Sequence, residues 1–155
     1  MKRSRLSLIA LASALIAGLA CSISLDLGSS GENEVVIVNA REGWQKTGIV
    51  IKAGDVLTIT YVSGMWSPWP GGEYDALGSG GDPRCRCNVM EGISHAALIG
   101  RIGDQEPFLV GLEYRVVVGE GGELYLGIND IDLNDNAGEL RVEVEVEGFW
   151  EIQKL

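Results

Sequence analysis

Residues 139–147 read Glu-Leu-Arg-Val-Glu-Val-Glu-Val-Glu, an unbroken alternation of charged and apolar side chains. Few local structures accept a period of two. A β-strand turns successive side chains to opposite faces, so Leu140, Val142, Val144 and Val146 share a face that must be covered, while Glu139, Arg141, Glu143, Glu145 and Glu147 meet water. A strand with one wet face belongs to an antiparallel sheet packed on one side, and the rest of the chain has to supply the cover. It offers short segments rich in Val, Ile, Leu, Thr and Tyr, punctuated by many of its 22 glycines, and no sustained helical period past the N-terminus. Strands are expected at 34–40, 47–51, 56–62, 94–102, 114–118, 124–128 and 139–147, with a tight turn at Ala53-Gly54-Asp55. The fold class is all-β, a β-sandwich.

The N-terminus stands apart from that domain. Lys2, Arg3 and Arg5 precede an apolar run from Leu6 to Leu19 that is short for a bilayer span and ends in small residues before Cys21, as an export signal does. Gly18-Leu19-Ala20-Cys21 resembles a lipobox, which makes Cys21 a lipidation site; read as small-x-Ala, the same residues fit ordinary cleavage. Polar residues 22–34 read as a tether. The expected division is a signal sequence at 1–20, a tether at 21–33 and the sandwich at 34–155. The mature chain is then exported, to a bacterial outer membrane or cell surface as a lipoprotein, or otherwise to the periplasm or medium. Loss of the signal leaves nine basic groups against 22 acidic ones, a net charge of −13. That excludes a basic phosphate-binding footprint, so nucleic acid is not a partner and a membrane is met only through the anchor.

Between the last two strands lies Asn129-Asp130-Ile131-Asp132-Leu133-Asn134-Asp135-Asn136-Ala137-Gly138, with six oxygen-bearing side chains. Asn, Asp and Gly are also ordinary turn residues, but three carboxylates this close repel one another unless a cation lies among them. Ca²⁺ takes six to eight oxygen ligands. An EF-hand is rejected, because Asp135 stands where its Gly belongs, Arg141 where its closing Glu belongs, and the flanks are strands.

The segment 63–94 is expected to be irregular. Trp66, Trp69 and Tyr74 within it offer either a flat apolar face for sugar rings or a cover for one end of the sandwich, whereas Trp44 reads as core. Cys85 and Cys87 suit a small disulfide in an oxidising compartment or remain thiols; zinc lacks further ligands beyond His95 and carboxylates. His95, the only histidine, has no supporting nucleophile motif and reads as structural, so the chain is not expected to be an enzyme.

Several segments together resemble the PA-IL-like galactophilic lectins: Trp44 with Thr47-Gly48-Ile49 and Gly54-Asp55, then Gly64-Met65-Trp66, Ala97-Leu98-Ile99-Gly100-Arg101-Ile102-Gly103, Val110-Gly111, Gly122 to Asp130, and Asp135-Asn136-Ala137-Gly138. The resemblance implies a galactose-binding-domain-like jelly roll and one Ca²⁺ coordinated by sugar hydroxyls. Carried over, the metal ligands are Asp130, Asp135 and Asn136, with carbonyls of Asp132 or Leu133 and of Trp69. The carbohydrate-binding residues are Trp66, Trp69, Asp82, Pro83, Asp130, Asp135 and Asn136. The loop after Asp130 is shorter than the family's, and Asp82 stands where the family has a sugar-contacting His. The expected function is calcium-dependent carbohydrate binding, with a galactoside-like glycan as partner. The alternative is a non-catalytic interaction module of the cell envelope that binds no sugar.

Overall fold

A computed structural model describes residues 33–80 and 86–148. The signal sequence with Cys21, and the loop residues Asp82, Pro83 and Cys85, lie outside the described residues. Eight strands follow in chain order: β1 (Glu34–Asn39), β2 (Gln45–Ile51), β3 (Val56–Ser67), β4 (Leu98–Ile102), β5 (Phe108–Leu109), β6 (Glu113–Val117), β7 (Gly122–Ile128) and β8 (Ala137–Glu147). They form two four-stranded antiparallel sheets, ordered β1-β8-β3-β6 and β2-β7-β4-β5.

The alternation that opens the sequence reading now has its explanation. β8 is an inner strand, paired with β1 on one side and β3 on the other, and its Leu140, Val142 and Val144 are fully buried while Glu139, Arg141 and Glu143 face water. Each apolar side chain so covered contributes about 1.5–3 kcal/mol. Facing them across the core are Leu124, Leu126 and Ile128 of β7, with Leu98 and Ile102 of β4.

Two boundaries differ from expectation by more than two residues. β3 runs on to Ser67 instead of ending at 62, because a register shift after Tyr61 and the left-handed Gly64 (φ 101°) let the strand bend and keep pairing with β8. A Cβ at Gly64 would lie 2.4 Å from the Glu139 carbonyl oxygen, so no other residue permits that approach. Residues 94–97 precede β4 as a turn rather than belonging to it. The turn at 53–55 also joins strands of different sheets: Gly54 N–H donates to Val118 O (2.7 Å) and Val118 N–H to Asp55 O (2.8 Å).

This topology positions the polar loop. β7 ends where Ile128 pairs with Leu98, and β8 begins where Ala137 pairs with Ser67. Residues 129–136 therefore cross from one sheet to the other at one end of the sandwich, between the chain leaving β3 and the chain entering β4.

Candidate functional site

The loop is built on Asn129, whose amide is entirely committed. Its Oδ1 accepts from Met90 N–H (2.7 Å), and its Nδ2 donates to the carbonyls of Met90 (3.1 Å), Ile93 (3.3 Å) and Ser94 (3.1 Å). Asn129 thus ties residues 90–94 to the end of β7. On the other side, Arg41 Nε donates to the backbone carbonyl of Asn136 (2.6 Å), and Ile131 N–H donates to Cys87 O (2.9 Å).

Held in this frame are Asp130 and Asn136, both out of solvent. Asp130 Oδ1 accepts the Asp132 N–H at 3.0 Å. Burial pushes the Asp130 carboxyl above the usual carboxylate range, and the charge of nearby Asp135 adds to the rise. The Asp132 amide, His95 and Asn136 oppose it without cancelling it. Asn136 Nδ2 donates to Ala40 O (3.0 Å), which fixes the amide so that Oδ1 points the other way, and that buried oxygen has no hydrogen-bond partner. A buried acceptor without a donor carries a penalty of about 1–3 kcal/mol. A desolvated carboxylate beside an orphaned amide oxygen is a site short of positive charge.

His95 and Trp69 complete the surroundings. His95 is buried, with Nδ1 2.8 Å from Asn88 Oδ1 and Nε2 3.8 Å from Asp130 Oδ2. The Trp69 indole lies nearly parallel to its ring, 5.6 Å between centroids at 7°, and meets Tyr74 edge-on at 5.4 Å. The chain reaches this arrangement through Ala96, a non-glycine residue at φ 62° whose N–H donates to Asn129 O (3.1 Å). Trp69 keeps 38% of its surface exposed.

Other expected site residues go elsewhere. Trp66 is 1% exposed and its Nε1 donates to Ala96 O (2.9 Å), so it is a core residue and not a sugar-facing one. Its backbone pairs with Tyr74 in both directions, 3.0 and 2.9 Å, which closes residues 67–73 into a compact excursion. Within that excursion the Trp69 carbonyl, expected as a metal ligand, already accepts from Ser67 Oγ and from Gly72 N–H. Both of its lone pairs are used. Asp132 is exposed and its side chain accepts from Asn134 N–H and Nδ2 (3.2 and 2.8 Å), the self-capping of a turn, while the Leu133 side chain packs on the core. Trp44 is half-buried beneath the Arg101 guanidinium, 5.1 Å from its ring. Cys87 is disulfide-bonded, with its partner outside the described residues.

The model of the PA-IL-like proteins matches residues 31–148, most of the chain and the whole of both sheets. The chain belongs to the PA-IL-like family. Among solved structures it is similar to the EclA N-terminal domain, described as a PllA-like lectin, with 30% sequence identity and a TM-score of 0.57 over 73% of this chain and 95% of that one. No curated protein matches the chain in sequence. A lectin relationship bears out the expectation that this is not an enzyme.

Within the PA-IL-like frame the residues present suit a hard cation. Asp130 and Asn136 offer oxygens from side chains that are already desolvated, Asp135 adds a second carboxylate close enough to feel the charge of the first, and the orphaned Asn136 Oδ1 is an acceptor awaiting a positive partner. What the sequence reading missed is the place of His95. Its neighbours in sequence, Ser94 and Ala96, carry no metal or sugar signature; only the left-handed turn at Ala96 and the packing under Trp69 bring the imidazole to Asp130.

Proposed function

We propose that this protein is a calcium-dependent carbohydrate-binding protein, with its ligand held at the β7–β8 loop beside Trp69. Membership of a lectin family supports carbohydrate as the ligand class. The observation that carries the calcium reading is the buried, unpartnered Oδ1 of Asn136 next to the desolvated carboxyl of Asp130. Asp130, Asp135 and Asn136 would hold the ion, with a loop carbonyl of Asp132 or Leu133. Bound calcium would supply a centre that exchanges water for two neighbouring hydroxyls of a sugar. The chain's own part is to keep the Asp130 carboxylate apart from water, to accept hydrogen bonds from sugar hydroxyls there, and to pack the exposed indole of Trp69 against the apolar face of the ring.

Isothermal titration with simple glycosides, in excess calcium and then in excess EDTA, tests this reading. Binding in the first and none in the second is the expected result, and no glycoside binding in excess calcium overturns it. The alternative of a sandwich that keeps the ion but no sugar predicts a calcium-dependent melting temperature with silent glycan titrations; the burial of Trp66, expected against the sugar, is the observation in its favour.

The signal-like N-terminus ending at Cys21 supports export and lipid anchoring. Incorporation of labelled fatty acid by the full chain, lost in Cys21→Ala, is the expected outcome.

A further inference from the structure

Arg41 stands at the other end of the polar loop from Trp69. Residues 39–42 form a tight turn in which Glu42 N–H donates to Asn39 O (3.2 Å) and Arg41 N–H to Asn39 Oδ1 (2.9 Å), so the backbone of Arg41 is fixed before its side chain begins. Its Nε then donates to the Asn136 carbonyl at 2.6 Å, which fixes the far end as well. The turn stays against the loop beyond that point, since a Cβ at Gly43 would lie 3.4 Å from the Leu133 side chain. Trp69, by way of His95, lies beside Asp130 where the loop begins, and Arg41 lies beside Asn136 where it ends.

What this guanidinium lacks is a counter-ion. Arg101 and Arg115 each meet a carboxylate, Asp104 at 3.4 Å and Glu147 at 2.7 Å, in a chain of net charge −10 that has acidic groups to spare. Arg41 is exposed, has Glu42 next to it in sequence and Asp135 next to its hydrogen-bond partner, and makes an ion pair with none of the described residues. Its Nη1 and Nη2 hydrogen-bond none of them either. Those two nitrogens form a planar fork that takes a carboxylate or a sulfate through parallel hydrogen bonds. Exposed ion pairs usually contribute little, because holding a long side chain in one geometry costs entropy. Here the turn and the bond to Asn136 have already immobilised the arginine.

We propose that Arg41 is a specificity-determining residue of the carbohydrate site, and that the sugar it selects is acidic, carrying a carboxylate or a sulfate ester. The proposal rests on the carbohydrate reading above and narrows its ligand class. Charge balance points the same way. The loop holds Asp130, Asp132 and Asp135. A divalent ion would offset two of those charges, and Arg41 is the cation that offsets the third, so an anionic sugar meets no net repulsion.

The test uses the intact wild-type protein in excess calcium. The methyl pyranosides of galactose, glucose and mannose are titrated calorimetrically, each beside its uronate and its 3- and 6-sulfates, at low and at physiological ionic strength. The expected result is an acidic sugar that binds about fivefold tighter than its neutral parent at low ionic strength, the upper end for an exposed pair, with the ratio falling as salt is added. That arm stands on wild type alone. A uronate can also reach the ion directly, so the second arm is Arg41→Gln, which keeps a donor for the Asn136 carbonyl and removes the charged fork. The ratio of acidic to neutral affinity in the variant should approach unity, whatever the change does to the neutral parent. The proposal is overturned if no acidic sugar outbinds its neutral parent, if the preference is indifferent to salt, or if it survives in Arg41→Gln. Wild type that binds calcium but neither neutral nor acidic sugars overturns the carbohydrate reading, and this proposal with it; neutral binding without an acidic preference overturns this proposal alone.

Discussion

The substitution Asn136→Leu separates a metal ligand from an ordinary buried amide. The side chain is fully buried; its Nδ2 donates to Ala40 O at 3.0 Å, its amide also hydrogen-bonds the Asp130 carboxyl, and Oδ1 is left without a partner. Leucine has the same branched skeleton with bulkier ends, so no cavity opens. Without metal, the variant strands the buried Ala40 carbonyl, a penalty of about 1–3 kcal/mol, and relieves the stranded Oδ1, a gain of about the same size. The lost bond to Asp130 and the bulk of leucine at a closed site come on top, so the comparison rests on what calcium adds to each protein and not on their melting points in EDTA. Calcium changes the comparison. At a free concentration about a hundredfold above its Kd, an ion that binds only the folded state contributes about 2.7 kcal/mol, and for a domain of this size each kcal/mol moves the midpoint by about 4 °C. Wild type should therefore gain roughly 10 °C on adding calcium, and Asn136→Leu little of it. Calorimetric melts of both proteins in EDTA and in calcium measure this. If the gap between them is the same in the two buffers, Asn136 is no ligand and the cation reading loses its carrying observation.

Three further outcomes follow from the same geometry. Trp66→Ala should destabilise by about 3–5 kcal/mol in urea titration whether or not sugar binds, whereas Trp69→Ala, with 38% of the residue exposed but its ring on His95 and Tyr74, should destabilise less than Trp66→Ala and abolish glycoside binding. Burial holds the folded-state pKa of Asp130 above the ordinary carboxylate value, so in EDTA the folded chain holds a proton that the unfolded chain releases; metal-free stability should fall as pH rises through that window, and calcium affinity should fall as pH drops through it, both read by melts and titrations across the acid range. Gly138 sits at φ 87° with a Cβ position 2.4 Å from Met65 O, so Gly138→Ala should cost more than about 2 kcal/mol and weaken glycoside binding by loosening the start of β8.

Much of the scaffold was legible because it follows from period alone. The alternation at 139–147 located β8, its buried face and the loop before it, and Val/Ile/Leu-rich runs located most of its partners. Residues 63–67 were misread as loop since Ser63-Gly64 looks like a chain break, and nothing local says that a left-handed glycine there lets the strand continue. β5, two residues long, carries no period at all. At the site, Asp130 and Asn136 were legible as oxygen donors crowded in sequence. Trp66 and Trp69 were not separable, because both occur in the same loop-like run and only the Trp66–Tyr74 backbone bridge sends one inward and the other out. His95 was invisible for a similar reason: its partners Asn88, Trp69 and Asp130 come from three separate segments.

The loop is held in shape by protein groups before any ion is considered. Asn129 spends four hydrogen bonds on residues 90–94, Arg41 clamps the Asn136 carbonyl, and the Asp132 amide already satisfies one oxygen of Asp130. Zinc-finger-like modules, in which metal binding is folding, lack such a frame. Here the remaining deficits are confined to Asn136 Oδ1 and the desolvated Asp130, which belong to a preformed cradle and not to an unfolded one. Calcium removal should then leave the strands paired and lower the melting point without unfolding the chain, and near-ultraviolet circular dichroism in EDTA should keep the signal of buried Trp66. A preformed cradle has a second consequence. The entropy of ordering the loop is already met in the folded chain, so binding affinity goes into discriminating ions and hydroxyl patterns instead of into organising backbone.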